Sequence, residues 1–155
     1  MGLLYSFDTS SLLNGRRDLL PPEVFPTLWA RIEQSISDGV IRAVDVVRDE
    51  LGKRDDATVG WAAAQSGLFL ALDADIQRST SDTLVACPRL MGRGGGRNAA
   101  DPFVIGLARA RDCTVVTEET PSGRLDRPRI PDVCGVLSVP CVNLVGFIRD
   151  RGWTF

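Results

Sequence analysis

Residues 3–14 read LLYSFDTSSLLN, and this stretch decides the fold. The apolar run at 3–7 predicts a buried strand, and a helix can begin near Ser10. Asp8 stands where the strand ends, with no basic residue close to it in the sequence. Its carboxylate can be the N-cap of the following helix, or it can form one wall of a metal site. The rest of the chain has to decide between these two interpretations.

Length and composition favour a globular protein. At 155 residues the chain is long enough to bury a core, and we expect one domain over residues 1–155. No apolar run has the length of a membrane span, and the first residues lack the pattern of a signal peptide, so we expect a cytoplasmic protein. A net charge of -2 does not favour a surface coated by nucleic acid, although local basic patches remain possible.

The chain contains no histidine, which narrows the chemistry open to it. A Ser-His-Asp triad, a Cys-His pair and a histidine general base are all excluded. Its cysteines form no CxxC pair, so we expect reduced thiols rather than a zinc site. Catalysis would have to use carboxylates, Lys or Arg, hydroxyl groups or a hard metal ion.

The apolar periodicities predict an α/β fold. Because strands alternate with helical segments, we expect a central parallel sheet covered on both faces, with ligands beyond the carboxyl ends of its strands. The predicted strands are 3–7, 40–44, 113–117 and 140–145. The predicted helices are 24–37, 45–54, 57–65, 79–90, 98–111 and 145–151, with a short amphipathic segment at 69–78 and a polar loop at 117–129.

Acidic residues stand at positions that this fold would bring together. Asp8 and the pair Glu118 and Glu119 follow predicted strands, whereas Glu50 and Asp101 lie in helices that must pack beside the same edge. Carboxylates that meet in one pocket repel one another and raise each other's pKa. A divalent cation relieves this repulsion, and Mg²⁺ and Mn²⁺ prefer oxygen ligands. Such a metal activates water and stabilises charge in phosphodiester cleavage.

The chain resembles a PIN-like domain, specifically the DUF4411 family, in the motifs YSFDTSSLL, VVRDEL, NAADPFVIGLARARDCTVVTEE and RPRIPDVC. The resemblance covers most of the chain, and VapC-type toxins are relatives within the PIN group. It implies a three-layer α/β/α fold and a Mg²⁺- or Mn²⁺-dependent endoribonuclease. It further implies the toxin of a toxin–antitoxin pair, with RNA as substrate, a cognate antitoxin protein that blocks the site, and a homodimer.

The resemblance also assigns the acids. Asp8, Glu50 and Asp101 match the first three acids of the family, and Glu119 matches the fourth because it stands two residues after Thr117. From the four acids we hypothesise that Asp8, Asp101 and Glu119 hold the metal directly or through water, while Glu50 completes the pocket or orients the attacking water. Glutamate is longer than the aspartate more usual at the fourth position. Glu118 is the neighbouring candidate.

Other polar side chains are candidates for supporting roles. Thr9 and Ser10 match the hydroxyl positions beside the first acid, and with Arg129 they are our candidates for substrate binding. Arg129 can contact a phosphate, neutralise the acids or lie on the surface. Asp132 is a candidate outer acid of the site. The segment GRGGGR, residues 92–97, can clamp RNA phosphates or simply connect two elements.

Each acid also has a purely structural alternative. Glu50 can belong to a solvated helix face, Asp101 can be an N-cap followed by a proline, and Glu119 can be a loop acid. Two other functions compete with the nuclease: a PIN-like module whose acids only bind a partner, and a phosphatase with an aspartate nucleophile. That phosphatase class needs a second acid two residues after Asp8, where this chain has Ser10, so we disfavour it.

Overall fold

A computed structural model describes residues 2–91 and 99–155. The segment GRGGGR at 92–97, for which two interpretations were open, lies outside the described residues, as does the predicted helix start at Asn98. In the part of the chain that is described, no helix combines the length and the apolar character needed to cross a membrane.

The centre of the fold is a parallel sheet of five strands within the described residues. Its spatial order is β3-β2-β1-β4-β5, and each neighbouring pair runs parallel. The bounds are β1 Tyr5–Phe7, β2 Ile41–Val44, β3 Phe69–Leu70, β4 Thr114–Val116 and β5 Cys141–Val142. Successive residues of a strand face opposite sides of a sheet. All three residues of β1 are buried, so helices cover both faces there.

The predicted α/β fold with a central parallel sheet is therefore confirmed, and the helices form the outer layers. A π-helical turn at Gly15–Leu19 extends the first helix, and a 3₁₀ turn occupies Pro88–Met91. The helix bounds are α1 Thr9–Asn14, α2 Pro26–Ser37, α3 Asp45–Gly52, α4 Asp56–Ala64, α5 Ala74–Ala86, α6 Asp101–Arg111, α7 Ile130–Leu137 and α8 Leu144–Asp150.

Two predictions around residue 70 were wrong in their bounds, although a helix does occupy residues 79–86 as expected. The expected amphipathic segment at 69–78 and the expected helix at 79–90 are instead the short strand β3 and the single helix α5. A strand of two residues is too short to show a period in the sequence. The signal for the start of α5 was Asp73, a residue type that commonly caps helices. Its side chain accepts a hydrogen bond from the backbone N–H of Ile76 at 2.8 Å.

The C-terminal third also differs from prediction. Helix α7 was not predicted, and the last strand ends at Val142 rather than at 145. The α7 sequence IPDVCGVL contains a proline, a glycine and few strong helix formers, so its propensity is weak. Its buried residues Ile130, Val133 and Cys134 show that packing on the core stabilises it. Asn143 stops β5 because its side chain caps α8.

Helices α5 and α6 pack against each other more extensively than any other pair of elements described. Their closest approach is at Gly106, where a Cβ atom would lie 2.1 Å from Thr80 Oγ1 and 3.0 Å from Thr80 Cα. The Thr80 hydroxyl already donates to the Ile76 carbonyl at 2.7 Å, so it has little freedom to move away. A glycine is therefore required at this crossing, which sets the position of α6 over the sheet.

We predict that Gly106→Ala lowers the free energy of unfolding by about 1–3 kcal/mol, because the added methyl group overpacks the α5–α6 contact. Denaturant unfolding followed by circular dichroism measures the change. Gly60→Ala on α4 is the matched control, since a Cβ there meets no atom within 4 Å. In the control, alanine should stabilise the helix by about 0.5–1 kcal/mol. Equal effects of the two substitutions would contradict the proposed crossing.

Candidate active site

The site lies where the chain changes direction across the sheet. Strands β2 and β3 extend the sheet on one side of β1, and β4 and β5 extend it on the other. The point between β1 and β4 is therefore a topological switch point, where parallel sheets leave a crevice beyond their carboxyl ends. Asp8 follows β1 directly, and Thr117 follows β4 directly.

Asp8 is the buried centre of this crevice, with 2% of its surface exposed. It accepts hydrogen bonds from Thr117 Oγ1 at 2.5 Å, from Ser10 Oγ at 2.8 Å and from the backbone N–H of Ser11 at 2.8 Å. The last of these is an N-cap bond to α1, so the N-cap interpretation of Asp8 is confirmed, while its role at a metal site stays a prediction. Burial raises the pKa of Asp8, although the bonds from Thr117, Ser11 and Ser10 lower it.

Two hydroxyl groups join the loops that follow β1 and β4. Thr117 Oγ1 also accepts from the backbone N–H of Glu119 at 3.0 Å, and Ser10 Oγ accepts from the backbone N–H of Glu118 at 3.0 Å. The sequence had marked Thr117 only as the reference point for the fourth acid, not as a residue of the site. The available signal was a polar residue at the end of the β-branched run TVV, in the same position as Asp8 after β1.

Glu50 reaches the site from α3 and is half-buried. Its Oε1 accepts a hydrogen bond from Thr9 Oγ1 at 2.5 Å, and its Oε2 accepts from the backbone N–H of Ala100 at 3.2 Å. These bonds connect α3 with the start of α1 and with the residue that precedes α6. Glu50 therefore does not belong to a solvated helix face. The structure places the Thr9 hydroxyl, a candidate for substrate binding, on this carboxylate.

Asp101 is the first residue of α6, and its side chain does not cap that helix. The N-cap alternative is therefore not what the structure shows. With 7% of its surface exposed, it has a buried Oδ2 atom that finds no hydrogen-bond partner among residues 2–91 and 99–155. Burial, together with the charges of Glu119, Asp8 and Glu50, raises the pKa of Asp101 to about 9. All four predicted acids thus act on one another in one crevice.

The neighbours Glu118 and Glu119 have different roles. Burial, with the charge of Asp8, raises the pKa of Glu119 to about 7, and the charge of Arg129 opposes this rise. Glu118 Oε1 instead accepts from the backbone N–H of Leu144 at 2.7 Å, at the start of α8. Glu119 is therefore the member of the pair that joins the acids. Arg129 lies close enough to this carboxylate to compensate part of its charge.

Asp132 stabilises a loop rather than presenting free oxygens. Its carboxylate accepts from the backbone N–H groups of Arg129 at 2.8 Å, Ser122 at 2.8 Å and Gly123 at 3.0 Å. Burial acts to raise the pKa of Asp132, but these bonds prevail and lower it to about 2. The four acids of the crevice have no comparable set of donors, apart from Asp8. Asp132 therefore holds the loop before α7.

The carboxylate oxygens of the crevice suit a hard cation such as Mg²⁺, but they do not form a complete coordination shell around one. Among residues 2–91 and 99–155, no group of three or more acidic or cysteine side chains stands in position to hold a metal ion. Mg²⁺ commonly binds through one or two carboxylates and completes its shell with water and phosphate oxygens. Asp101 Oδ2 is buried beside three other carboxylates and is unpaired within the described residues, so its lone pairs are available to such an ion.

The chain matches a known family over nearly its whole length. The family described as "Domain of unknown function (DUF4411)" matches residues 5–155. No curated protein matches the chain. The matched range includes every acid of the crevice, so the site lies within the part of the chain that defines the family.

We predict that the metal-free protein loses stability as the pH rises from about 4 to about 9. Unfolded Asp101 loses its proton near pH 4, whereas folded Asp101 keeps it to about pH 9. Since the folded state binds more protons across this window, raising the pH favours unfolding. Asp101→Asn removes the penalty. At pH 8 it should raise the free energy of unfolding by on the order of a few kcal/mol in denaturant melts.

The difference between Asp101→Asn and wild type should vanish below about pH 3, where Asp101 is largely protonated in both states. Asp132→Asn is the control, because its pKa shift has the opposite sign and its loss should destabilise the protein at pH 8. An Asp101→Asn variant that is less stable than wild type at pH 8 would contradict the buried, repelled carboxylate.

Proposed function

This chain belongs to the DUF4411 family, and we propose that it is a PIN-like endoribonuclease that depends on Mg²⁺ or Mn²⁺. The observation that carries the proposal is Asp101 Oδ2, which is buried beside three other carboxylates and has no hydrogen-bond partner in the part of the chain that the structure describes. Burying an unpaired charge costs free energy. A divalent cation bound by the carboxylates removes that cost, and this relief favours its binding. An acidic crevice at a switch point with no histidine suits metal-assisted hydrolysis of a phosphodiester.

Three of the acids would hold the ion directly or through water, at the positions that the resemblance to PIN-like domains indicates. Asp8, Asp101 and Glu119 are the proposed ligands. Bound there, Mg²⁺ or Mn²⁺ supplies a lowered pKa for an attacking water and neutralises charge on the phosphate. Asp8 is already fixed by Thr117 and Ser11, so its geometry is set before any ligand arrives.

The remaining groups would position water and substrate. Each oxygen of Glu50 accepts one hydrogen bond, from Thr9 or from Ala100, and each has a second lone pair that can accept from a water molecule. Glu50 therefore orients the attacking water in this proposal. Arg129, exposed at the start of α7 and close to Glu119, would pair with a phosphate oxygen of the RNA.

The decisive test compares two aspartates that cap helices in the same way. Asp8 caps α1 by accepting from Ser11 N at 2.8 Å, and Asp73 caps α5 by accepting from Ile76 N at 2.8 Å. Asparagine also caps helices, so Asp8→Asn and Asp73→Asn should both fold. We expect Asp8→Asn to cut Mn²⁺-dependent cleavage of a labelled RNA on the order of 100-fold or more. Asp73→Asn should cleave at the rate of wild type.

Purified protein with Mn²⁺, with Mg²⁺ and with chelator gives the comparison. Cleavage that survives chelation, or an Asp8→Asn variant as active as wild type, would overturn the metal mechanism. A small phosphate ester, offered in place of RNA, should not be hydrolysed. Its rapid hydrolysis would revive the phosphatase alternative.

A second candidate is a PIN-like binding module without catalysis. It is favoured by the lack of a preformed group of three ligands among the described residues. Thermal melting with Mn²⁺ separates the two, because a ligand bound only to the folded state stabilises it by about 2.7 kcal/mol at 100 times its Kd. We expect wild type to gain melting temperature at millimolar Mn²⁺ and Asp101→Asn to gain much less. No gain in wild type would support the binding module.

The cellular role that we propose is that of a cytoplasmic toxin which acts as a homodimer and is blocked by a cognate antitoxin protein. This part rests on the resemblance to VapC-type toxins. Induced expression in a bacterial host should arrest growth for wild type and Asp73→Asn, but not for Asp8→Asn. Growth arrest by Asp8→Asn would show that toxicity does not come from cleavage.

A further inference from the structure

A cavity of about 470 Å³ opens beside the acids, on the β5 side of the sheet. It lies between the loop after β4, helix α7 and strand β5. Thr117 and Glu119 line it and also belong to the acid crevice, so the two spaces are continuous. Pockets for small molecules commonly measure roughly 300–1,000 Å³, so the cavity can hold a group of that class.

The walls of the cavity are mostly apolar and uncharged. Pro121 and Pro131 line it from the α7 side, and Val139 and Val142 line it from the β5 side. Among the described residues, no lysine or arginine lines it, and the Glu119 carboxylate is its ionisable oxygen group. Because Arg129 at the rim already contacts Thr120 and compensates Glu119, the apolar interior of the cavity does not favour a phosphate or another anion. A flat, neutral ring would instead bury its faces against the prolines and valines.

Two polar groups at the cavity have hydrogens left to donate. Asn143 Oδ1 accepts from the backbone N–H of Gly146 at 2.8 Å, which leaves the NH₂ group of the same side chain for a ligand. Thr120 Oγ1 accepts from Arg129 Nη1 at 3.2 Å, which leaves the hydroxyl proton for a ligand. Ring nitrogens and carbonyl oxygens of nucleobases are the matching acceptors.

We propose that this cavity binds one nucleobase of the RNA strand, next to the phosphate held at the acids. The proposal rests on the proposed nuclease function and adds a base-recognition subsite to it. Pro121, Pro131, Val139 and Val142 contact the faces of the ring, and Asn143 and Thr120 donate to its edge. The base is turned away from its neighbours, as in other proteins that recognise single-stranded RNA. Its position fixes which phosphate faces Asp8 and Asp101.

Gly135 offers a way to fill the cavity without disturbing the fold. It lines the cavity from α7, and a Cβ atom there meets no atom within 4 Å. Gly135→Leu should therefore occupy the space that the base needs. Gly60→Leu is the matched control: Gly60 is also an exposed helical glycine with no atom within 4 Å of an added Cβ, but it lies on α4, outside the cavity.

The binding test uses the four ribonucleosides and ribose, titrated into metal-free protein and followed by NMR. We expect at least one ribonucleoside to bind wild type and Gly60→Leu about tenfold or more tighter than ribose does. Gly135→Leu should lose that difference. Asn143→Asp is a second variant, which keeps the cap on α8 but removes the NH₂ donor, and it should weaken the same ribonucleoside about tenfold.

Cys141 supplies a readout that does not depend on catalysis. It lines the cavity and is half-buried, whereas Cys87, Cys113 and Cys134 are buried. A saturating ribonucleoside should slow the alkylation of Cys141 by iodoacetamide in wild type and in Gly60→Leu. The same concentration of ribose should not slow it.

The outcomes separate this subsite from the nuclease itself. Ribonucleosides that bind no better than ribose would overturn the base subsite, even if RNA is cleaved. Unchanged binding in Gly135→Leu would overturn its location. If wild type fails to cleave RNA but shows base-dependent binding that Gly135→Leu abolishes, the subsite stands and the nuclease function falls.

Discussion

The hydrogen bond from Thr117 to Asp8 joins the carboxyl ends of the two strands that flank the switch point. Strands β1 and β4 are more than a hundred residues apart in sequence, and their ends meet because the register pairs Phe7 with Val116. The first polar residue after each strand then lies at the same depth. Ser10 joins the same two strand ends, because its hydroxyl donates to Asp8 and accepts from the backbone N–H of Glu118. Everything else at the site is positioned relative to this pair of strand ends.

The acidic side chains discussed above form two groups, which differ in whether backbone N–H groups compensate their charge. Glu118 and Asp132 accept hydrogen bonds from backbone N–H groups, so they stabilise the start of α8 and the loop before α7. Asp101 and Glu119 are buried or half-buried near like charges, and their pKa values rise to about 9 and about 7. Acids of the first kind stabilise the fold, whereas acids of the second kind weaken it in the absence of a cation. Such a cost is typical of a functional site.

The acid crevice and the cavity beside it follow from one topology. Glu119 lies in the loop directly after β4, two residues beyond Thr117. It therefore faces both Asp101 in the crevice and the space between α7 and β5. The loop held by Asp132 carries Arg129 to the rim of the same region. Charge is thus concentrated on the β1 side and apolar surface on the β5 side. That division would suit the phosphodiester and attached base that we propose as ligand.

Local periodicity in the sequence predicted the α/β class and the order of most elements. The resemblance to PIN-like domains singled out Asp8, Glu50, Asp101 and Glu119, and the structure brings these four acids into one crevice. The missing histidines excluded whole classes of catalysis without any structure. Only the tertiary contacts revealed that Asp101 does not cap its helix and that Thr117 holds Asp8. The same is true of β3 and α7, which are too short or too weak in propensity to be recognised from local sequence. These features depend on partners distant along the chain, and contacts of that kind leave no periodic signal in the sequence that makes them.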